Sequence, residues 1–121
     1  MPGKVMELSQ GWVFARGQTG WNGLEQEPEE WIESEFNTAA VQMEVPWISG
    51  CTLYLEGCDQ SGGSFVVHKE VAAAGNTIVY LSCQAPAGAA EHLNNLLRWK
   101  VVGPGSPAPW QTCFRITVVF K

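Results

Sequence analysis

Charge is scarce in this chain, and positive charge scarcer. Charged residues make up 16 % of the 121 positions, with seven basic side chains against twelve acidic ones and a net charge of −5. Scattered cations in an acidic chain give no stripe for phosphates, which argues against nucleic acid and anionic membrane surfaces as partners. No apolar run approaches the ~20 residues needed to cross a bilayer as a helix, so membrane insertion is not expected. The opening MPGKVMELSQ has no apolar core of a secretory leader. Read as a natural start, it places the protein in the cytoplasm or nucleus. The cysteines are Cys51, Cys58, Cys83 and Cys113, with no C-x-x-C pair and neither His68 nor His92 beside a cysteine pair. That pattern excludes the usual zinc-ligand spacings and reads as reduced thiols. G-x-S-x-G, P-loop, H-E-x-x-H and G-x-G-x-x-G motifs are all missing. No catalytic residues, metal or cofactor are therefore assigned, and the chain reads as a non-enzyme.

What the chain does have is apolar content arranged with period 2. Hydrophobic residues reach 45 %, which rules out wholesale disorder, and 13 Gly with 7 Pro supply many turns. Ala40–Val45 alternates with Val41, Met43 and Val45 on one face, and Cys51–Glu56 with Cys51, Leu53 and Leu55. Thr77–Gln84 sets Val79, Leu81 and Cys83 opposite Ile78 and Tyr80. Leu96–Val102 turns Leu97, Trp99 and Val101 inward, and Thr112–Phe120 does the same for Phe114, Ile116, Val118 and Phe120. GWVFARG adds a shorter candidate. Short alternating runs separated by turns, with no long helical pattern, predict an all-β fold. Their number and spacing predict an immunoglobulin-like antiparallel β-sandwich of about seven strands. Residues 1–35 read as an acidic, tryptophan-containing N-terminal segment, strand or loop, free or packed on the domain, in which Pro28–Trp31 resembles a helix start. Residues 36–121 form the sandwich domain. Its edge strands leave room for a homodimer.

PWISGCTLYLEGCDQSGG, from Pro46 to Gly63, is the most distinctive stretch. Gly57–Gly63 reads as a turn in which Asp59 bonds its own backbone and the glycines supply positive φ. Together with EVAAAGNTIVYLSCQAPAG and LLRWKVVGPGSPAPWQTCFRITVVF, this stretch resembles the four-tryptophan (FW) domain over about residues 37–120. Trp47 stands where that family has its second tryptophan and Trp99 where it has its third. Phe114 takes the place of the fourth, with Trp110 four positions earlier, and Cys58 interrupts the usual Gly-Asp pair. The resemblance implies an immunoglobulin-like sandwich used for protein contact, as in next-to-BRCA-one type selective-autophagy receptors that recruit cargo.

The expected core anchors are Trp47, Trp99, Phe114, Leu53 and Leu81. Trp21, Trp31, Asp59 and Trp110 are the candidates for partner contact, because tryptophan is enriched in binding hot spots. Cys58 falls in the turn and is expected to be exposed, and His68 and His92 read as surface histidines. The expected function is a non-enzymatic protein-protein interaction module with a protein partner such as autophagy cargo. The alternative is a carbohydrate-binding module, since six tryptophans can furnish a stacking platform and LSQGWVFARGQTG resembles the start of jelly-roll modules.

Overall fold

The C-terminal run Trp110–Phe120 organises the molecule. Trp110, Thr112, Phe114, Ile116, Val118 and Phe120 are all buried, while Gln111, Arg115, Thr117 and Val119 are not. An eleven-residue strand that keeps period 2 throughout has one face for a core and one for the outside. In the computed structural model, which describes residues 4–9, 11–17, 23–25, 36–59, 64–86, 88–104 and 109–121, this strand is the last of nine. The others are β1 (Lys4–Glu7), β2 (Val13–Gly17), β3 (Gly23–Glu25), β4 (Thr38–Ser49), β5 (Thr52–Cys58), β6 (Val66–Val71), β7 (Gly75–Ser82) and β8 (Leu96–Val102), with Trp110–Phe120 as β9. Among the described residues there is no helix, and so none able to cross a membrane.

The strands form two antiparallel sheets. Sheet I has the order β1-β9-β4-β7, with β2 also on β9, and sheet II the order β3-β8-β5-β6. At this level the fold is the immunoglobulin-like antiparallel sandwich expected from the sequence. The connectivity is more specific. Apart from the β5–β6 hairpin and the two halves β1 and β2, each strand crosses to the other sheet from its predecessor. Two interlocked Greek keys of this kind make a jelly roll. In the immunoglobulin order the last strand lies beside the one before it, whereas here β9 pairs with β4, β1 and β2.

Between the sheets lie the predicted inward faces. Leu53, Leu81, Trp99 and Phe114 are buried as expected, and Trp99 meets Phe114 edge to face at 5.1 Å between centroids. Phe36 stacks on Phe120 at 5.3 Å. Burying one such side chain contributes about 1.5–3 kcal/mol, so this layer carries much of the stability.

Trp47 is a correction. Extending the alternation Val41, Met43, Val45 by two residues points Trp47 inward, yet it is 45 % exposed. The register explains it: Glu44 pairs with Arg115 and Trp47 with Cys113, so two residues of β4, Val45 and Pro46, face the single residue Phe114. This bulge adds one residue and flips every later side chain to the other face. Pro46 marks the place, because proline cannot donate to a ladder and is confined in sheets to edges and bulges.

The described residues before position 36 include three strands that join the two sheets. β1 and β2 together form one edge of sheet I along β9, and β3 forms an edge of sheet II on β8. The kink between β1 and β2 is tied to β9, where the Leu8 N–H bonds the Ile116 carbonyl and Ser9 Oγ accepts the Ile116 N–H. These strands were hard to see because they are three to five residues long, too short to show a period.

Candidate functional site

Residues paired across strands share a face, so the register maps the outside of sheet I. One row runs Tyr80, Ala40, Val119, Val5, and the next Ile78, Gln42, Thr117, Glu7. A third holds Asn76, Glu44 and Arg115, with Arg115 ion-paired to Glu7. Past the bulge come Trp47, Cys113 and Phe14, then Ser49, Gln111 and Arg16. Among the described residues, five of the seven exposed large hydrophobic side chains belong to this face, namely Val5, Phe14, Trp47, Ile78 and Tyr80.

Phe14 and Trp47 flank Cys113 from opposite strands. Their ring centroids are 5.8 Å apart at an interplanar angle of 51°, and Cys113 is buried although it lies on the outer face. Burial pushes its thiol pKa up, so this is a packed, protonated sulfur and not a nucleophile. Beside the rings open two adjoining hollows of about 640 Å3 and 220 Å3. Arg16 and Gln111 line both, with Phe14 and Trp47 in the smaller one and Ser49 and Trp110 in the larger. The site thus combines two aromatic faces, a guanidinium and an amide.

The walls are fixed by the chain around it. Thr112 Oγ1 donates to the Trp47 carbonyl at 3.2 Å, which holds the bulge against β9. Gly50 adopts φ +73, and a Cβ there would press on the Pro109 carbonyl. Only glycine suits that corner, which accounts for the "SGC" that follows Trp47. Gly17 lies flat against the Trp110 indole, where a side chain would collide.

Of the four residues expected to touch a partner, Trp110 is buried, a correction: it is the wall beneath the groove. Trp21 and Trp31 lie outside the described residues, as do Pro28–Trp31 and Gly62–Gly63. Asp59 is exposed, but its carboxylate accepts from Asn94 Nδ2 at 3.1 Å and the Asn95 N–H at 3.4 Å. It ties Asn94 and Asn95 to the end of β5.

The expected turn Gly57–Gly63 starts later than predicted, since β5 continues through Cys58. A Cβ on Gly57 would strike Asn94 and His68, so packing, not positive φ, demands that glycine. Cys58 is buried, the reverse of the expectation, and Cys83 is exposed. His68 is buried too, its Nδ1 bonded to the Ala90 carbonyl at 2.6 Å, and burial lowers its pKa. Among the described residues no three His, Cys, Asp or Glu side chains gather as metal ligands.

Phe14, Arg16, Gln111, Ile78 and Tyr80 were not singled out from sequence as contact residues. The opposition of Ile78 and Tyr80 to the inward face was legible. The face of Phe14 was not, because a five-residue strand gives its phase only once its partner is known.

No family model matches the chain, and no curated protein does. Among solved structures, a chain described under "Bacillus endospore appendages form a novel family of disulfide-linked pili" aligns at a TM-score of 0.42 and 10 % identity. The alignment covers 100 % of this chain and 91 % of that one.

Proposed function

We propose that this protein is a non-enzymatic protein-interaction module working through the outer face of sheet I, with the Phe14–Trp47 groove as its anchor. The observation that carries the reading is the concentration of five exposed large apolar side chains on that one face. Scattered apolar residues need no explanation, but a clustered set marks a contact surface. Arg16 sets the chemistry of the partner. Arg98 and Arg115 are paired with Glu56 and Glu7, whereas Arg16 has no ion pair among the described residues. A segment offering an apolar side chain to the rings and a carboxylate to Arg16 fits both features. The FW resemblance points to the same class of role, cargo recruitment by a cytoplasmic receptor. The strand order differs from the immunoglobulin order of that domain, so the reading rests on the surface.

The test is selection from a displayed random-peptide library, with the Phe14→Ala/Trp47→Ala double variant as counter-selection. Enriched peptides with an acidic residue beside a large apolar one, bound by the wild type alone, support the module. Enrichment indifferent to the double variant removes the groove from it.

A second reading keeps the groove and changes the ligand. Two tilted aromatic rings beside a guanidinium and an amide also suit a sugar, with its C–H face on a ring and its hydroxyls on Arg16 and Gln111. The jelly-roll order, shared with lectin domains, favours this alternative as a scaffold. Binding on a glycan array, lost in the same double variant, would select it over the peptide reading.

A further inference from the structure

The edge of sheet I formed by β7 has its own unspent bonding capacity. The Ser82 N–H donates to the Glu91 carbonyl and the Ser82 carbonyl accepts the Leu93 N–H, both on the side away from β4. Backbone groups alternate sides along a strand. The N–H and C=O groups of Asn76, Ile78 and Tyr80 therefore point to that same free side, where no described residue pairs with them.

The other edges are guarded. β6 carries Lys69 and Glu70 and meets a bulge at Leu55/Glu56, the β1/β2 edge is interrupted between Glu7 and Val13, and β3 has three residues. Charges, bulges and brevity are the usual protection of an edge against pairing. β7, GNTIVYLS, has none of them: eight residues with no acid, base or proline.

We propose that β7 pairs with β7 of a second copy of this chain, antiparallel about a twofold axis through Ile78. Ile78 then faces Ile78 of the second copy, and Asn76 faces Tyr80 on either side. All three residues have outward N–H and C=O groups, so the three pairs form six N–H···O bonds and leave none of these groups unused. The strip is uncharged, so two acidic molecules meet where neither presents like charge. An unrelated strand would satisfy the same backbone groups, but a second copy also matches the strip in length and neutrality. Pairing joins the two outer faces, bringing the exposed Ile78 side chains together and each exposed Tyr80 beside Asn76. The inference is independent of the Phe14–Trp47 groove, which lies at the far corner of the sheet.

Sedimentation velocity of the full chain across a dilution series tests it. The wild type is expected to pass from monomer to dimer with concentration. Ile78→Lys puts two cations on the twofold axis and is expected to weaken the dimer about tenfold or more. Ile78→Pro removes only a free-edge N–H, leaves the β4 ladder intact and is expected to abolish pairing. Circular dichroism confirms that both variants fold. Phe14→Ala is expected to dimerise like the wild type, so failure here is distinct from failure of the groove. A wild type that stays monomeric throughout overturns the proposal, as does a dimer indifferent to both Ile78 variants.

Discussion

Replacing Trp47 or Trp99 by alanine deletes the same side chain from opposite sides of one sandwich. Trp99 is 9 % exposed and packed on Phe114, so its loss opens a cavity in the core. Large-to-small changes of this kind cost about 3–5 kcal/mol, a large part of the roughly 5–15 kcal/mol that holds a domain together. Trp47 is about half exposed and sits on a surface that collapses without leaving a void. It loses roughly half the transfer energy of an aromatic side chain plus its contact with Phe14, about 1–2 kcal/mol in all. Urea unfolding followed by far-ultraviolet circular dichroism measures both. The Trp99→Ala midpoint should fall by at least about twice as much as that of Trp47→Ala, with little change in slope. Equal losses, or a larger loss at Trp47, would mean that the bulge at Val45 and Pro46 does not turn the ring outward, and the groove would have no aromatic wall.

Three further outcomes follow from the packing. Cys83 is exposed, and Cys113 is capped by Phe14 and Trp47 with its pKa raised by burial. A disulfide reagent should therefore modify Cys83 first in the native protein, and Phe14→Ala should accelerate modification of Cys113, measured by peptide mass. His68 has its pKa lowered by burial, so the unfolded chain binds the extra proton first as pH falls. The melting temperature should decline as pH drops from about 7 through the ordinary histidine value of about 6.5 and level off below the folded-state value, and His68→Asn should flatten that slope. Glu56 and Arg98 form a largely buried ion pair at 2.8 Å, with the guanidinium 3.6 Å from the Phe65 ring centre. Glu56→Ala should cost about 3 kcal/mol by taking the carboxylate away from that largely buried cation, against at most about 1 kcal/mol for Glu7→Ala at the more exposed pair. Chemical denaturation of the two variants compares them.

The core was readable because long strands carry their own phase. The alternation in Thr112–Phe120 named Phe114, Ile116, Val118 and Phe120, and all four are buried. What defeated the reading at Trp47 is a single inserted residue. A bulge leaves no hydrophobic trace of its own, and Pro46 was the only sign. Strand order was hidden for another reason. Period 2 says which way a side chain points, but not which strand lies beside it, so a jelly roll and an immunoglobulin sandwich look alike along the chain. The candidate site inherits both gaps. It exists because the bulge exposes Trp47 and because β2 lies on β9, and the second fact joins residues about a hundred positions apart. Trp110 was misjudged as exposed because the residue that covers its ring, Gly17, lies more than ninety positions away in sequence.

The proposed binding surface is one face of one sheet. Fluorescence anisotropy of a labelled peptide taken from the library selection measures it, with Phe14→Ala on sheet I compared with Val67→Ala on sheet II, where Val67 is also exposed. The expected result is an affinity at least about tenfold weaker for Phe14→Ala and unchanged for Val67→Ala. Weaker binding in Val67→Ala with Phe14→Ala unaffected would put the working surface on the opposite sheet.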